Sequence, residues 1–438
     1  MSTMHDIILK NTSYIDPEIK VVKNRTIVID NGVISDILDS SEGLETKEVI
    51  DGSELLWMPG LIDGHIHTSQ QLLRGRLMDE KPVIWKRVNV PFESMLDEDM
   101  SRLSAEVAAL EMISAGTTGF VDAGGKYPEV FAEVYDRAGM RARLTVMTND
   151  NPHFPASLRA ESPAKAVARL REMAGNLKGD MLKPMYSITT PVAASEELFR
   201  RVWEAAAEDG IPAETHMNEY ASEVTTFIET FGERPFVWME REGLLKAKTL
   251  APHSIFLTPE EIDVIKENDI RIAHCPYSNC GKGIPQTPTL LRRGIKVGFG
   301  SDGSAHGGLD LFKEMRLFRG VMVVSHGISM AESAIMPAEK LLKMAFEPGA
   351  LFMDGLGRIE KGKKADMIAI DTDVPYLWPT QNLVHSVVES ACGSDVQHTI
   401  INGRIVMKNR EFTTLDKERI KTHAKELIGK NPWLVDWK

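Results

Sequence analysis

Hydrophobic and polar positions change rhythm twice along this chain. The first 57 residues read as short β-rich runs separated by turn signals: 6–9 and 25–29, then Asp30-Asn31-Gly32 as a hairpin turn into 33–38. The far end has the same rhythm, with a strand at 365–370 and a strand pair at 399–406 around Asn402-Gly403. Between them, β-rich runs at 119–122, 142–147, 185–189, 212–216, 248–251, 270–273 and 297–301 are interleaved with helical periodicity, as at 101–115, 193–208 and 259–267. With the apolar run before His65, this makes about eight strand-then-helix units, which predicts a parallel sheet closed into a (β/α)8 barrel. The expected organisation is an α/β barrel over 58–359 and a small β-sandwich built from 1–57 and 360–438, with a charged surface helix at 417–428.

Composition narrows the function classes. The chain has 438 residues, is 43% hydrophobic and carries a formal charge of −12. It has no Lys/Arg-rich block, which argues against nucleic acid or an anionic membrane as partner. Three cysteines fit a reducing compartment rather than a disulfide framework. Cys275 and Cys280 lack the spacing of a zinc knuckle and read as ordinary thiols. No apolar run is long enough to span a bilayer, and MSTMHDIILKNTSY lacks a signal-peptide pattern. The expectation is a soluble cytoplasmic protein.

The chemistry begins at His65-Ile66-His67, where an apolar run ends in Gly-His-x-His. Alternate residues of a strand face one side, so both imidazoles project together, as two ligands of one metal ion require. Barrel enzymes place their reactive groups at the C-terminal ends of strands. The other strand ends carry His216 with Glu219, His253, His274 and Asp302. Any one of these alone reads as a hydrogen-bonded core residue or a surface carboxylate. Together they suit one divalent ion, zinc (Zn2+) before iron (Fe2+), whose bound water would be acidified. A nearby carboxylate outside the metal shell, a role that suits Glu219, would move the proton to a substrate nitrogen.

The chain resembles the amidohydrolase superfamily, in its cytosine/guanine/S-adenosylhomocysteine deaminase and chlorotriazine hydrolase branch. The likeness rests on PGLIDGHIHTSQQLLRG at 59–75, Ala115-Gly-Thr-Thr118, His216-x-x-Glu219, His274-Cys-Pro-Tyr-Ser-Asn279, Gly300-Ser-Asp302-Gly, LDLFKEMR at 309–316 and GRIEKGKKAD at 357–366. It implies metal ligation by His65, His67, His216 and Asp302, with Glu219 as proton shuttle. His253 would orient the attacking water, and Asp302 would also accept its proton. Binuclear relatives carry a lysine at the end of the fourth strand; here Lys183 lies at its beginning, so one ion is expected.

The implied reaction is deamination of an amino-substituted N-heterocycle of purine, pyrimidine, pterin or triazine type. Loss of a chloride or opening of a cyclic amide is the alternative, and a non-catalytic scaffold the remote one. Glu93, Thr189 and His306 are the expected substrate contacts, although His306 equally suits a local structural role. Thr189-Thr190-Pro191-Val192 stands where adenosine-type relatives carry His-x-Pro-Tyr, and Val146 where they tend to carry arginine. Arg74 and Trp85 read either as lid residues or as ordinary packing. Family habit adds a homo-oligomer.

Overall fold

The short runs at the two ends of the chain meet in one nine-stranded sheet. His5–Ile15 pairs antiparallel with Val21–Asp30, which turns through Asn31 (φ 51°) and Gly32 (φ 80°) into Val33–Leu38. Two successive positive φ angles are what a type I′ hairpin needs, and Asn-Gly supplies them at little cost. Asn402 (φ 51°) and Gly403 (φ 70°) repeat the device between Val396–Ile401 and Arg404–Lys408. The two ends join where Leu55–Pro59 pairs with Met367–Asp371, placing Trp57 opposite Ala369. Ile7, Leu9, Ile27, Ile29, Trp57 and Met367 form the buried face of this sheet. The computed structural model describes residues 4–77, 79–81 and 83–436; residues 1–3, 78, 82, 437 and 438 of the segments assigned above lie outside the described residues.

The apolar run before His65 divides at Gly60. Leu55–Pro59 belongs to the terminal sheet and Leu61–Ile66 opens the second one. At the junction the backbone lies so close to the neighbouring strand that a Cβ on Gly60 would sit 2.0 Å from Thr118 Oγ1.

The second sheet is parallel throughout. Its strands run Leu61–Ile66, Thr117–Asp122, Arg141–Leu144, Leu182–Pro184 with Tyr186–Ser187, Ala213–Glu214, Thr249–Pro252, Arg271–His274 and Val297–Phe299. Leu182–Pro184 and Tyr186–Ser187 are one strand interrupted at Met185, and they pair with opposite ends of the series. Val297–Phe299 returns to Leu61–Ile66 through Phe299 and Asp63. The pairing therefore runs round in a ring, a mixed α/β arrangement consistent with the (β/α)8 barrel. The fourth strand lies earlier than the 185–189 run suggests, because beyond Ser187 the Thr189 N–H turns to the Thr148 carbonyl at 2.9 Å.

Helices pack outside the ring, several of them started by a side chain that satisfies exposed N–H groups. Asp97 accepts from Met100 ahead of Glu98–Ser114, and Ser195 from Leu198 ahead of Glu196–Asp209. Thr258 and Glu261 form a capping box on Pro259–Glu267. One buried ion pair fastens ring to terminal sheet: Arg141 Nε donates to Asp366 Oδ2 at 2.7 Å, and Arg141 Nη2 reaches Asn402 Oδ1 at 3.2 Å. Among the described residues no helix is long and apolar enough to cross a membrane.

Candidate active site

Four side chains from three strand ends converge. His65 Nε2 and His67 Nε2 each lie 3.1 Å from His216 Nε2, and they lie 3.4 and 3.3 Å from Asp302 Oδ1. With metal–ligand bonds of 2.0–2.1 Å, a tetrahedral site has ligand–ligand edges of about 3.3 Å. These four donor–donor distances are close to that edge length, all four donor atoms lie within 4.8 Å of one another, and this group could hold an ion. His216 Nδ1 faces the Thr189 carbonyl at 2.5 Å. That contact keeps the proton on Nδ1 and leaves the Nε2 lone pair pointing into the group.

Electrostatics favour the ligating forms of His65, His216 and Asp302. Burial holds His65 well below its usual range and pushes His216 down to about 3, so both are neutral. Burial lowers His67 too, but its hydrogen bond and charge interaction with Asp302 outweigh this and raise it. Burial would raise Asp302, yet the neighbouring His306, Lys282 and His253 hold it well below the carboxylate range.

The local backbone is bent to bring these groups together. Asn218 (φ 50°), His253 (φ 66°), Ser254 (φ 45°) and Asp302 (φ 61°) all adopt the left-handed region that non-glycine residues avoid. The Asp302 N–H donates to the His65 carbonyl at 3.0 Å, closing the eighth strand end onto the first. This approach requires Gly300, where a Cβ would lie 3.0 Å from His65 Cβ and from Cys275 Sγ.

A second cluster adjoins the first: Glu219, His253 and Asp302. Glu219 Oε1 lies 3.8 Å from His253 Nε2. His253 Nδ1 lies 2.9 Å from Asn279 Oδ1, so the ring donates there and presents Nε2 inward. His274, behind it, donates to the His253 carbonyl at 2.8 Å and holds the strand end from below.

Sequence reasoning missed Lys282. Its buried Nζ donates to Glu219 Oε1 at 2.5 Å and lies 3.4 Å from Asp302 Oδ2. Burial would raise Glu219, but its neighbours, Lys282 before all, bring it down to about 2. Ser278 Oγ donates to Asp302 Oδ2 at 2.5 Å. In the sequence Lys282 lies between two glycines in a loop, where a lysine ordinarily reads as solvated.

A cavity opens over both clusters, and Glu93, Thr189 and His306 all line it. Glu93 is buried and accepts from Ser69 Oγ and, at 3.2 Å, from Gln70 Nε2; burial raises its carboxyl. The Thr189 hydroxyl donates to the Thr148 carbonyl at 3.1 Å. His306 Nδ1 lies 3.0 Å from the Asp302 carbonyl. Ile84, Trp85, Val90 and Met147 supply an apolar side, with the Trp85 ring tilted 31° against Phe154 at 5.8 Å between centroids. Met147 rather than Val146 reaches the cavity. Glu223, also missed, lines it and is pushed up to about 8 by burial and the Glu219 charge. Arg74 does not join this lining; it pairs with Glu111 and is half exposed.

Comparison with known proteins agrees with this geometry. The amidohydrolase family model matches residues 56–406. A 5-methylthioadenosine/S-adenosylhomocysteine deaminase of Haloarcula marismortui is 32% identical over 431 residues, covering 97% of this chain and 98% of its own. A 5'-deoxyadenosine deaminase of Methanosarcina mazei is 32% identical over 448 residues, covering 98% and 99%. The crystal structure of an adenosine deaminase from Xanthomonas campestris with bound zinc has the same fold, with a TM-score of 0.90 at 24% identity over 98% of this chain and 99% of that one. With a family match across most of its length and relatives of this identity along nearly all of it, the chain belongs to the amidohydrolase family.

Proposed function

We propose that this protein is a metal-dependent aminohydrolase that releases ammonia from an amino-substituted N-heterocycle of purine, pyrimidine, pterin or triazine type. The observation that carries this reading is the position of Glu219 and His253 against Asp302, at the edge of the three-imidazole donor set and beneath a part-apolar cavity. The names of the relatives support it, since those quoted above are deaminases. His65, His67, His216 and Asp302 would hold the ion. Zinc is the first choice, from the nitrogen-rich donor set and from the zinc in a structural neighbour. When bound, the ion supplies Lewis acidity that brings the pKa of a water molecule towards neutrality.

The chain's own groups then manage two protons. Glu219, ionised beside Lys282, takes the first from the water and delivers it to the ring nitrogen next to the carbon under attack. His253 holds the attacking oxygen through Nε2, its ring fixed by Asn279. Asp302 takes the second proton from that oxygen and passes it to the departing amine. Water adds across the C=N bond, the C–N bond to the exocyclic amine breaks, and a ring carbonyl and ammonia result. Thr189 keeps His216 in the ligating tautomer through its carbonyl. Its side chain and Val146 differ from the histidine and arginine of adenosine-type relatives, so the ring class is drawn broadly.

The test is ammonia release by zinc-loaded protein across a panel of amino-heterocycles, beside Glu219→Gln. The variant should keep its metal and lose about 10³-fold in kcat. Chloride release or lactam opening without ammonia would overturn the deaminase reading, and loss of metal in the variant would overturn the role given to Glu219.

A further inference from the structure

We propose that Ser278 is a positioning residue that turns the Asp302 carboxylate so that one of its oxygens, and not both, faces the three imidazoles. This rests on the donor set proposed above. It adds to that set a residue that neither holds the ion nor touches the substrate.

The backbone of Asp302 is fixed, but its carboxylate has freedom of its own. Asp302 sits at φ 61°, with its N–H on the His65 carbonyl at 3.0 Å. Rotation about the Cβ–Cγ bond of an aspartate is broad and roughly two-fold. A contact beyond the main chain must therefore set the plane of the carboxylate.

The two oxygens have separate neighbours. Oδ1 lies 3.4 Å from His65 Nε2 and 3.3 Å from His67 Nε2. Oδ2 accepts from Ser278 Oγ at 2.5 Å, and lies 3.4 Å from Lys282 Nζ and 3.7 Å from His306 Nδ1. The Ser278 contact is the shortest of these. Lys282 Nζ donates to Ser278 Oγ at 2.5 Å, which leaves the hydroxyl proton for Asp302.

Ser278 is itself anchored. It is buried on the short helix Pro276–Asn279, which follows the strand Arg271–His274. The Asn279 N–H donates to the Cys275 carbonyl at 2.8 Å, and the Tyr277 N–H donates to Glu314 Oε2 at 2.8 Å, on the helix Leu311–Met322. The same stretch carries Asn279, which meets His253, and leads to Lys282, which meets Glu219. One segment after the seventh strand thus orients Asp302, His253 and Glu219 while supplying none of the four donors. Holding a ligand in its bound pose beforehand removes the cost of ordering it when the ion arrives. Ser278 does not line the cavity, so its loss should act on the ion and the rate and not on substrate fit.

The experiment measures zinc affinity by competition with a chromophoric chelator for the native protein, Ser278→Ala and Ser278→Thr, with Tm recorded for each. Ser278→Ala should weaken zinc binding by about tenfold or more. Ser278→Thr, which keeps the hydroxyl, should recover most of that loss. At saturating zinc, Ser278→Ala should lower kcat on the fastest ring of the panel and leave KM within about twofold of native. A native zinc affinity in Ser278→Ala overturns the proposal, as does a Ser278→Thr protein of native Tm that recovers none of the loss. A raised KM with kcat unchanged would make Ser278 a substrate contact and overturn it too. Zinc affinity is read without turnover, so absence of ammonia from every ring would overturn the aminohydrolase reading alone. Native protein that takes up no zinc would overturn the donor set and this proposal together.

Discussion

The floor of the cavity comes from strand ends, whereas its wall comes from loops, and the two are built differently. On the floor, His65, His67, His216, His253 and Asp302 sit where strands of a closed sheet stop; backbone hydrogen bonds fix all but His216, whose ring is held by the Thr189 carbonyl. On the wall, Ile84, Trp85, Val90, Met147 and Thr190 come from connecting segments whose side chains can change without disturbing the ring. Reaction type is thus held by the part of the molecule least free to vary, and substrate choice by the part most free.

Substitutions can sharpen or break that division. The largest effect is expected at the floor: His67→Ala removes one corner of the donor set, and dialysed protein should lose both its metal, measured by emission spectroscopy, and all turnover. Next comes Lys282→Met, which should keep the metal but lower kcat by about tenfold or more. Because Lys282 favours the ionised form of Glu219, its removal should also move the acid limb of the kcat/KM profile to higher pH. An unmoved limb would relegate Lys282 to packing.

A smaller effect is expected beneath the floor. Glu314 accepts the Tyr277 N–H at 2.8 Å, and burial pushes its carboxyl up to about 8. Between its ordinary value of 4.5 and 8 the folded state holds a proton that the unfolded state has lost, so this group costs stability progressively as pH rises through that window. Glu314→Gln should therefore flatten the fall in Tm between pH 5 and pH 8. The smallest effect is expected at the rim. Arg74 is 49% exposed in its pair with Glu111, so Arg74→Ala should change stability by about 0.5 kcal/mol or less and leave KM unaltered. A large KM change would make Arg74 part of the wall after all.

The floor was legible in the sequence because its signals are local. An apolar run ending in Gly-His-x-His, or a Gly-Ser-Asp-Gly after a short β-run, announces a strand stopping at a reactive edge. The Asn-Gly turns were legible for the same reason, since positive φ at two successive residues admits few side chains. The division of the first apolar run at Gly60 was not, because hydrophobicity continues across it and only the closeness of Thr118 breaks it. Lys282 and Glu223 were missed on different grounds. Their burial is created by segments distant in the chain, and nothing in their own neighbourhood separates them from solvated charges. Glu93, which lines the cavity, was suggested by the resemblance, whereas Trp85 was suggested only by its place on the long loop after the first strand, where ordinary packing read as well.

The shared terminal sheet imposes an order on the making of this protein. Leu55–Pro59 leaves the ribosome before the first strand of the ring, yet its partner Met367–Asp371 follows about 300 residues later. At a synthesis rate of roughly 5–20 residues per second, that strand waits on the order of 15–60 s with one edge unpaired. Arg141 waits as well, since its carboxylate partner Asp366 arrives with the same late segment. The newborn chain therefore passes through a long-lived state with a nearly complete ring and an open, aggregation-prone β edge, the stage at which a holding chaperone would have most to protect.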